Sequence, residues 1–146
     1  MTAKQQTIAQ PAELEGAGIH TGETARVRFA AADTGTGIRF RRTDMKDAAD
    51  IPADLDHVFS TDRGTSLAQG DARVHTIEHL LAAVVAHGID NIIIEVDGPE
   101  IPIADGSFKP FFDAIAGAGT IEQPATARTL TFPGSVTAEG PAGVEG

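Results

Sequence analysis

The side chains best able to do chemistry fall in one short run: Val74, His75, Thr76, Ile77, Glu78, His79 and Leu80. A carboxylate beside an imidazole suits hydrolysis. Where an imidazole helps to hold zinc, the metal brings the pKa of its bound water to about 7, and a neighbouring Glu removes the proton as general base. The run opens an amphipathic segment, and the free N–H groups of a helix's first turn favour anions over cations. Residues 75–79 also match H-x-x-E-H, in which two His one turn apart bind zinc. Against that zinc-peptidase reading, Thr76 looks like a helix cap, which leaves His75 ahead of the helix. The plainest alternative is a solvated polar turn in which Glu78 only complements the helix dipole.

These residues need elements to hold them. The spacing predicts a helix over residues 77–87, capped by Thr76, with Ile77, Leu80, Leu81, Val84 and Val85 as its apolar stripe and Gly88 as its stop. Glu78 and His79, about 100° apart around the axis, then turn away from the core toward solvent or a second layer. A second helix is predicted over 109–118, with Ser107 as cap assisted by Asp105, Pro110 in the first turn, and Phe108, Phe112 and Ile115 on one side. Residues 24–29 and 38–42 alternate apolar and Arg positions and read as half-buried strands joined as a hairpin by the turn-rich stretch 30–37. Residues 7–14 read as an earlier strand, leading into the Gly-rich loop 16–22. The nearly unbroken apolar run 91–96 reads as a strand covered on both sides or central in its sheet. Together these predict an α+β fold: a two-layer sandwich, with two main helices on one face of a mostly antiparallel sheet.

The composition narrows the function. One hundred and forty-six residues make one domain, with 41% hydrophobic residues to fill a core. A formal charge of −10 opposes general binding to nucleic acid or to anionic lipid. With no Cys, disulfides, iron–sulfur clusters and thiolate zinc sites are excluded, and metal ligation falls to His, Asp and Glu. The N-terminal residues lack the apolar stretch of a secretory signal, and the longest apolar run, 80–86, is far short of a membrane span. A cytoplasmic location is the expectation. After residue 117 the chain becomes rich in Gly and Pro, with only residues 128–132 and Val136 strand-like. This suggests a first domain over 1–123, followed at 124–146 by a linker and the first strands of a second domain.

Six blocks in order carry a resemblance: residues 16–22 (Gly-Ala-Gly-Ile-His-Thr-Gly), 37–44, 61–67, 76–80, 88–91 and 95–107. The chain resembles the N-terminal domain of the UDP-3-O-acyl-N-acetylglucosamine deacetylases, the zinc amidases of lipid A synthesis. The resemblance implies removal of acetate from a UDP-linked, 3-O-acylated N-acetylglucosamine, with zinc as cofactor held by two His and one Asp. It implies that His79 is one zinc ligand and Glu78 the general base, and that Ile19, His20, Gly64 and Thr65 contact substrate. His75 stands where the family usually has a small hydroxyl residue, and Gly64 where Cys is common. The family's second domain carries an H-K-x-x-x-D zinc motif and an acid His that are absent here, so this chain alone is expected to bind zinc weakly and turn over little or nothing. Its expected partners are the UDP-sugar and a second domain, or a further copy, across the exposed face. The other reading is a non-catalytic domain that binds a partner or ligand through that surface.

Overall fold

A computed structural model describes residues 3–135 and 137. In chain order the elements are β1 (Lys4–Ile8), β2 (Ala12–Ala17), β3 (Thr24–Ala31), β4 (Ile38–Arg42), β5 (Ile51–Pro52), a 3-10 turn (Leu55–His57), β6 (Val58–Ser60), β7 (Ser66–Gln69), β8 (Ala72–His75), α1 (Glu78–Ala86), β9 (Ile92–Val96), α2 (Lys109–Ala118) and β10 (Thr120–Thr126). The main sheet has the order β2-β3-β9-β4-β5, antiparallel except where β9 runs parallel to β4. Beside it lie the antiparallel sheet β6-β7-β8 and the ribbon β1-β10. The fold is α+β, as its strand and helix patterns predict.

Alternation sorts the main sheet into two faces. Val27 pairs with Val96 and Phe29 with Ile94, while Phe40 meets Ile94 from the other side, so these side chains share one buried face. Onto it pack Leu80 and Val84 of α1 and Phe111 and Ile115 of α2. The opposite face is a ladder of charge: Arg28 reaches Glu95 at 2.7 Å, and Arg41 reaches Asp50 at 2.7 Å. The same period that drives one side into the core thus keeps the other in water.

The hairpin expected between β3 and β4 does not form. Central β9 lies between them, pairing Val96 with Val27 on one side and with Arg42 on the other. Its apolar run has to be covered, and a middle strand is covered best. The strand expected over 7–14 is two strands in two sheets, because Pro11 offers no N–H to continue a ladder. Asn91 ties these parts together: its Oδ1 accepts the Gly37 N–H at 2.8 Å, and its Nδ2 donates to Gln5 and Gln123, each at 2.7 Å.

Both helices differ in detail from their predicted stripes. In α1 Val85 is 69% exposed and Ala83 is buried in its place. In α2 Phe111, not Phe108, is the fully buried ring; Phe108 is 45% exposed. Ser107 does serve the helix start, accepting the Lys109 N–H at 3.1 Å while its own hydroxyl donates to Asp105 at 2.8 Å. β10 runs through position 124. Residues 128–132 form no strand and leave Leu130 and Phe132 exposed, without a ladder partner among the described residues; Val136 lies outside the described residues.

Within α2, Gly117 has nothing near the position a Cβ would take. Gly117→Ala should therefore stabilise the fold by about 0.5–1 kcal/mol through helix propensity alone. Urea unfolding checks this, and a loss of stability would contradict it.

Candidate active site

The chain enters α1 by a strained step. Thr76 has φ 60°, a left-handed conformation that a β-branched residue rarely takes, and it is buried. It does not cap the helix. The helix's flanking residue is Ile77, with no side-chain cap, and the Thr76 hydroxyl instead donates to Glu100 Oε1 at 2.9 Å. Thr76 also donates its N–H to the Thr65 carbonyl at 3.1 Å, which holds the loop before β7 against the start of α1.

From that start Glu78 reaches back. Its exposed carboxylate accepts the Thr65 N–H through Oε1. Burial pushes the Glu78 carboxyl up, but hydrogen bonds from its own N–H and from Thr65 outweigh that and hold it below the usual range. It is ionised at neutral pH, the state a base requires. His79 is not turned to open solvent: it is half-buried, edge-on to Phe111 of α2 at 5.0 Å between ring centroids. Its Nε2–H donates to the Pro102 carbonyl at 2.8 Å, so Nδ1 is the nitrogen that carries the lone pair in the neutral ring.

Gly64 lies at the meeting point of three functional groups. A Cβ there would sit 3.7 Å from Glu78 Oε1 and 3.8 Å from both His20 Nε2 and Thr76 Oγ1. The bare backbone keeps this space open. It borders a cleft of about 410 Å³ lined by His20, Arg63, Gly64, His75, Thr76 and Glu100, among others. That is room for part of a small molecule. Of the residues expected at a substrate surface, His20 and Gly64 line this cleft, Thr65 anchors Glu78 from behind, and Ile19 stands 59% exposed on the same loop as His20.

His75 sits on β8, its Nδ1 2.7 Å from Ser66 Oγ. It is not stacked one helical turn below His79, which overturns the H-x-x-E-H reading. The other imidazoles are engaged apart from one another: His20 with the Arg63 carbonyl, His57 with Asp54, His87 with the Phe112 carbonyl. Among the described residues no three His, Asp or Glu side chains converge as a metal-holding group.

Glu100, inside the block 95–107, carries no mark of a functional role in its local sequence. It is 1% exposed, and its only sequence signal is a charge isolated between Pro99 and Ile101. Burial pushes its carboxyl up, but the N–H groups of Thr21 and His20 and the hydroxyls of Thr21 and Thr76 pull it from 4.5 down to about 2. An unfolded chain therefore binds a proton at Glu100 before the folded one does. The stability this group contributes is full above pH about 4.5 and is lost as pH falls toward 2. Asp44 and Asp50, held low by hydrogen bonds from Arg42 and Arg41, act in the same sense. The melting temperature should fall between pH 5 and pH 3, and Glu100→Gln should flatten part of that slope; an unchanged slope would contradict it.

The sequence model of the UDP-3-O-acyl N-acetylglycosamine deacetylase family matches residues 5–143. The chain belongs to that family. It is 42% identical over 139 residues to UDP-3-O-acyl-N-acetylglucosamine deacetylases of Brucella melitensis, Brucella ovis and Brucella abortus, a match covering 95% of this chain and 49% of each relative. The chain spans about half the length of the curated relatives it matches. Among the described residues no helix is long and apolar enough to cross a membrane.

Proposed function

We propose that this chain supplies the general base and one metal ligand to a zinc-dependent deacetylase acting on a UDP-linked, 3-O-acylated N-acetylglucosamine. The observation that carries the reading is Glu78, ionised and fixed at one oxygen by Thr65, next to a half-buried His79 that keeps one ring nitrogen free. With Oε1 held, Glu78 Oε2 is the atom that takes the proton of the attacking water. His79 would hold zinc through the nitrogen opposite its bond to Pro102. Zinc, when bound, supplies a polarised carbonyl and a more acidic water. The described residues fit one position of such a site and do not fill the four that zinc requires. Further ligands, and an acid for the leaving amine, have to come from elsewhere.

Half-built sites of this kind need a cover. Val85 on α1 and Phe108, just before α2, are exposed, and an apolar groove of about 270 Å³ runs beside α1 between Leu55, Leu67, Ile77 and Leu81. Such surface is what the other half of the family's length, or a second copy of this chain, would cover. The test is acetate release from the UDP-linked substrate by the 146-residue chain, alone and together with the remaining half of a relative. Turnover only in the combination is expected. Turnover by the chain alone contradicts the half-site, and none in either case contradicts the deacetylase reading.

A further inference from the structure

The buried carboxylate of Glu100 has no role in proton transfer or metal binding under the reading above, yet it bonds directly both to the 18–21 loop and to Thr76 at the entry to α1. Oε1 accepts the His20 N–H at 3.0 Å and the Thr76 hydroxyl at 2.9 Å; Oε2 accepts the Thr21 N–H at 2.8 Å. All its hydrogen-bond partners are neutral donors, and no cation pairs with it among the described residues. Burying an unpaired charge is costly unless its lone pairs are filled, so the position is occupied because donors from three residues, His20, Thr21 and Thr76, converge on it. Gly18 makes the room. A Cβ there would lie 2.6 Å from Glu100 Cδ, so the loop that carries Ile19 and His20 closes only over a glycine.

The segment around Glu100 is itself clamped. His75 donates its N–H to the Pro99 carbonyl at 2.9 Å, Ile101 donates to the His75 carbonyl at 3.1 Å, and Ile103 donates to the Ala17 carbonyl at 2.9 Å. Two residues beyond Glu100, the Pro102 carbonyl receives His79 Nε2–H. From one anchored strand-like segment, bonds therefore run to the loop of His20, to the strained Thr76 and to His79. Thr76 continues the line through Thr65, whose N–H holds Glu78.

We infer that Glu100 is a positioning residue for this site: its carboxylate fastens the 18–21 loop and the left-handed Thr76, and through them fixes where His20, Glu78 and His79 stand. The role rests on the deacetylase reading only for its purpose, because the positioning can be measured without zinc or substrate. A surface-exposed or purely packing residue would be replaceable by an isostere. Glu100 would not be, since the Gln amide turns a donor toward N–H groups that need an acceptor.

The experiment uses the 146-residue chain and two readouts: hydrogen exchange at the Thr65 amide and the nitrogen chemical shifts of the His79 ring. The variants are Glu100→Gln, Thr76→Val and Thr76→Ser, with Ile8→Val as a destabilised control. Glu100→Gln and Thr76→Val should speed Thr65 exchange at least about tenfold and move His79 from a single Nε2–H tautomer toward a mixture. Thr76→Ser, which keeps the hydroxyl, should restore both, and Ile8→Val should move neither. Native Thr65 protection and an unchanged His79 tautomer in folded Thr76→Val would overturn the inference, including if Glu100→Gln fails to fold. Failure of the deacetylase reading would show instead as absent turnover with these positioning effects intact.

Discussion

Glu78→Gln, made in a form of the protein that turns over the UDP-linked substrate, should lower acetate release by about 10²–10⁴-fold. Gln has the shape of Glu, and its amide oxygen can still accept the Thr65 N–H that holds Oε1. What it loses is the second oxygen as a proton acceptor. The loss should therefore appear in kcat, with KM changed little, because the cleft lined by His20 and Gly64, the proposed substrate side, is untouched. A fall of less than about threefold would remove Glu78 from the role of base.

Phe111→Ala should be among the most destabilising single changes, at about 3–5 kcal/mol. The ring is fully buried, meets Phe29 of the sheet edge-on at 6.4 Å and supports the His79 imidazole at 5.0 Å. Against a total stability of about 5–15 kcal/mol, that is a large share. The effect should reach the site as well: with the shelf gone, the His79 ring loses its fixed orientation even where the domain stays folded. Denaturant unfolding measures the first effect and the His79 ring nitrogen shifts the second. A cost below about 1 kcal/mol would mean that the helix layer does not depend on this ring.

These two residues also mark what could be read from the sequence. Glu78 and His79 stand out because a carboxylate and an imidazole at the start of an apolar helical stripe are visible within a few residues. The strands β3 and β4 are visible for the same local reason, a period of two in side chains, and β9 through its nearly unbroken apolar run. Which strand pairs with which is a long-range choice: the apolar run marks β9 as central, but nothing local names β3 and β4 as its neighbours. Thr76 shows the limit most clearly. A hydroxyl residue before an apolar run reads as a cap, but its hydroxyl is taken by a carboxylate 24 positions along the chain. Phe111 lay next to Phe112, and only the packed helix decides which of two adjacent rings faces the sheet.

We propose that the chain carries one ligand and the base of a zinc site rather than a whole one. Zinc content after equilibration and desalting tests it most directly, for the 146-residue chain, for the chain combined with the other half of a relative, and for the combination bearing His79→Ala. Substoichiometric zinc is expected for the chain alone, one zinc in the combination and its loss with His79→Ala. Stoichiometric, tightly held zinc on the chain alone, or zinc retained without His79, would contradict it.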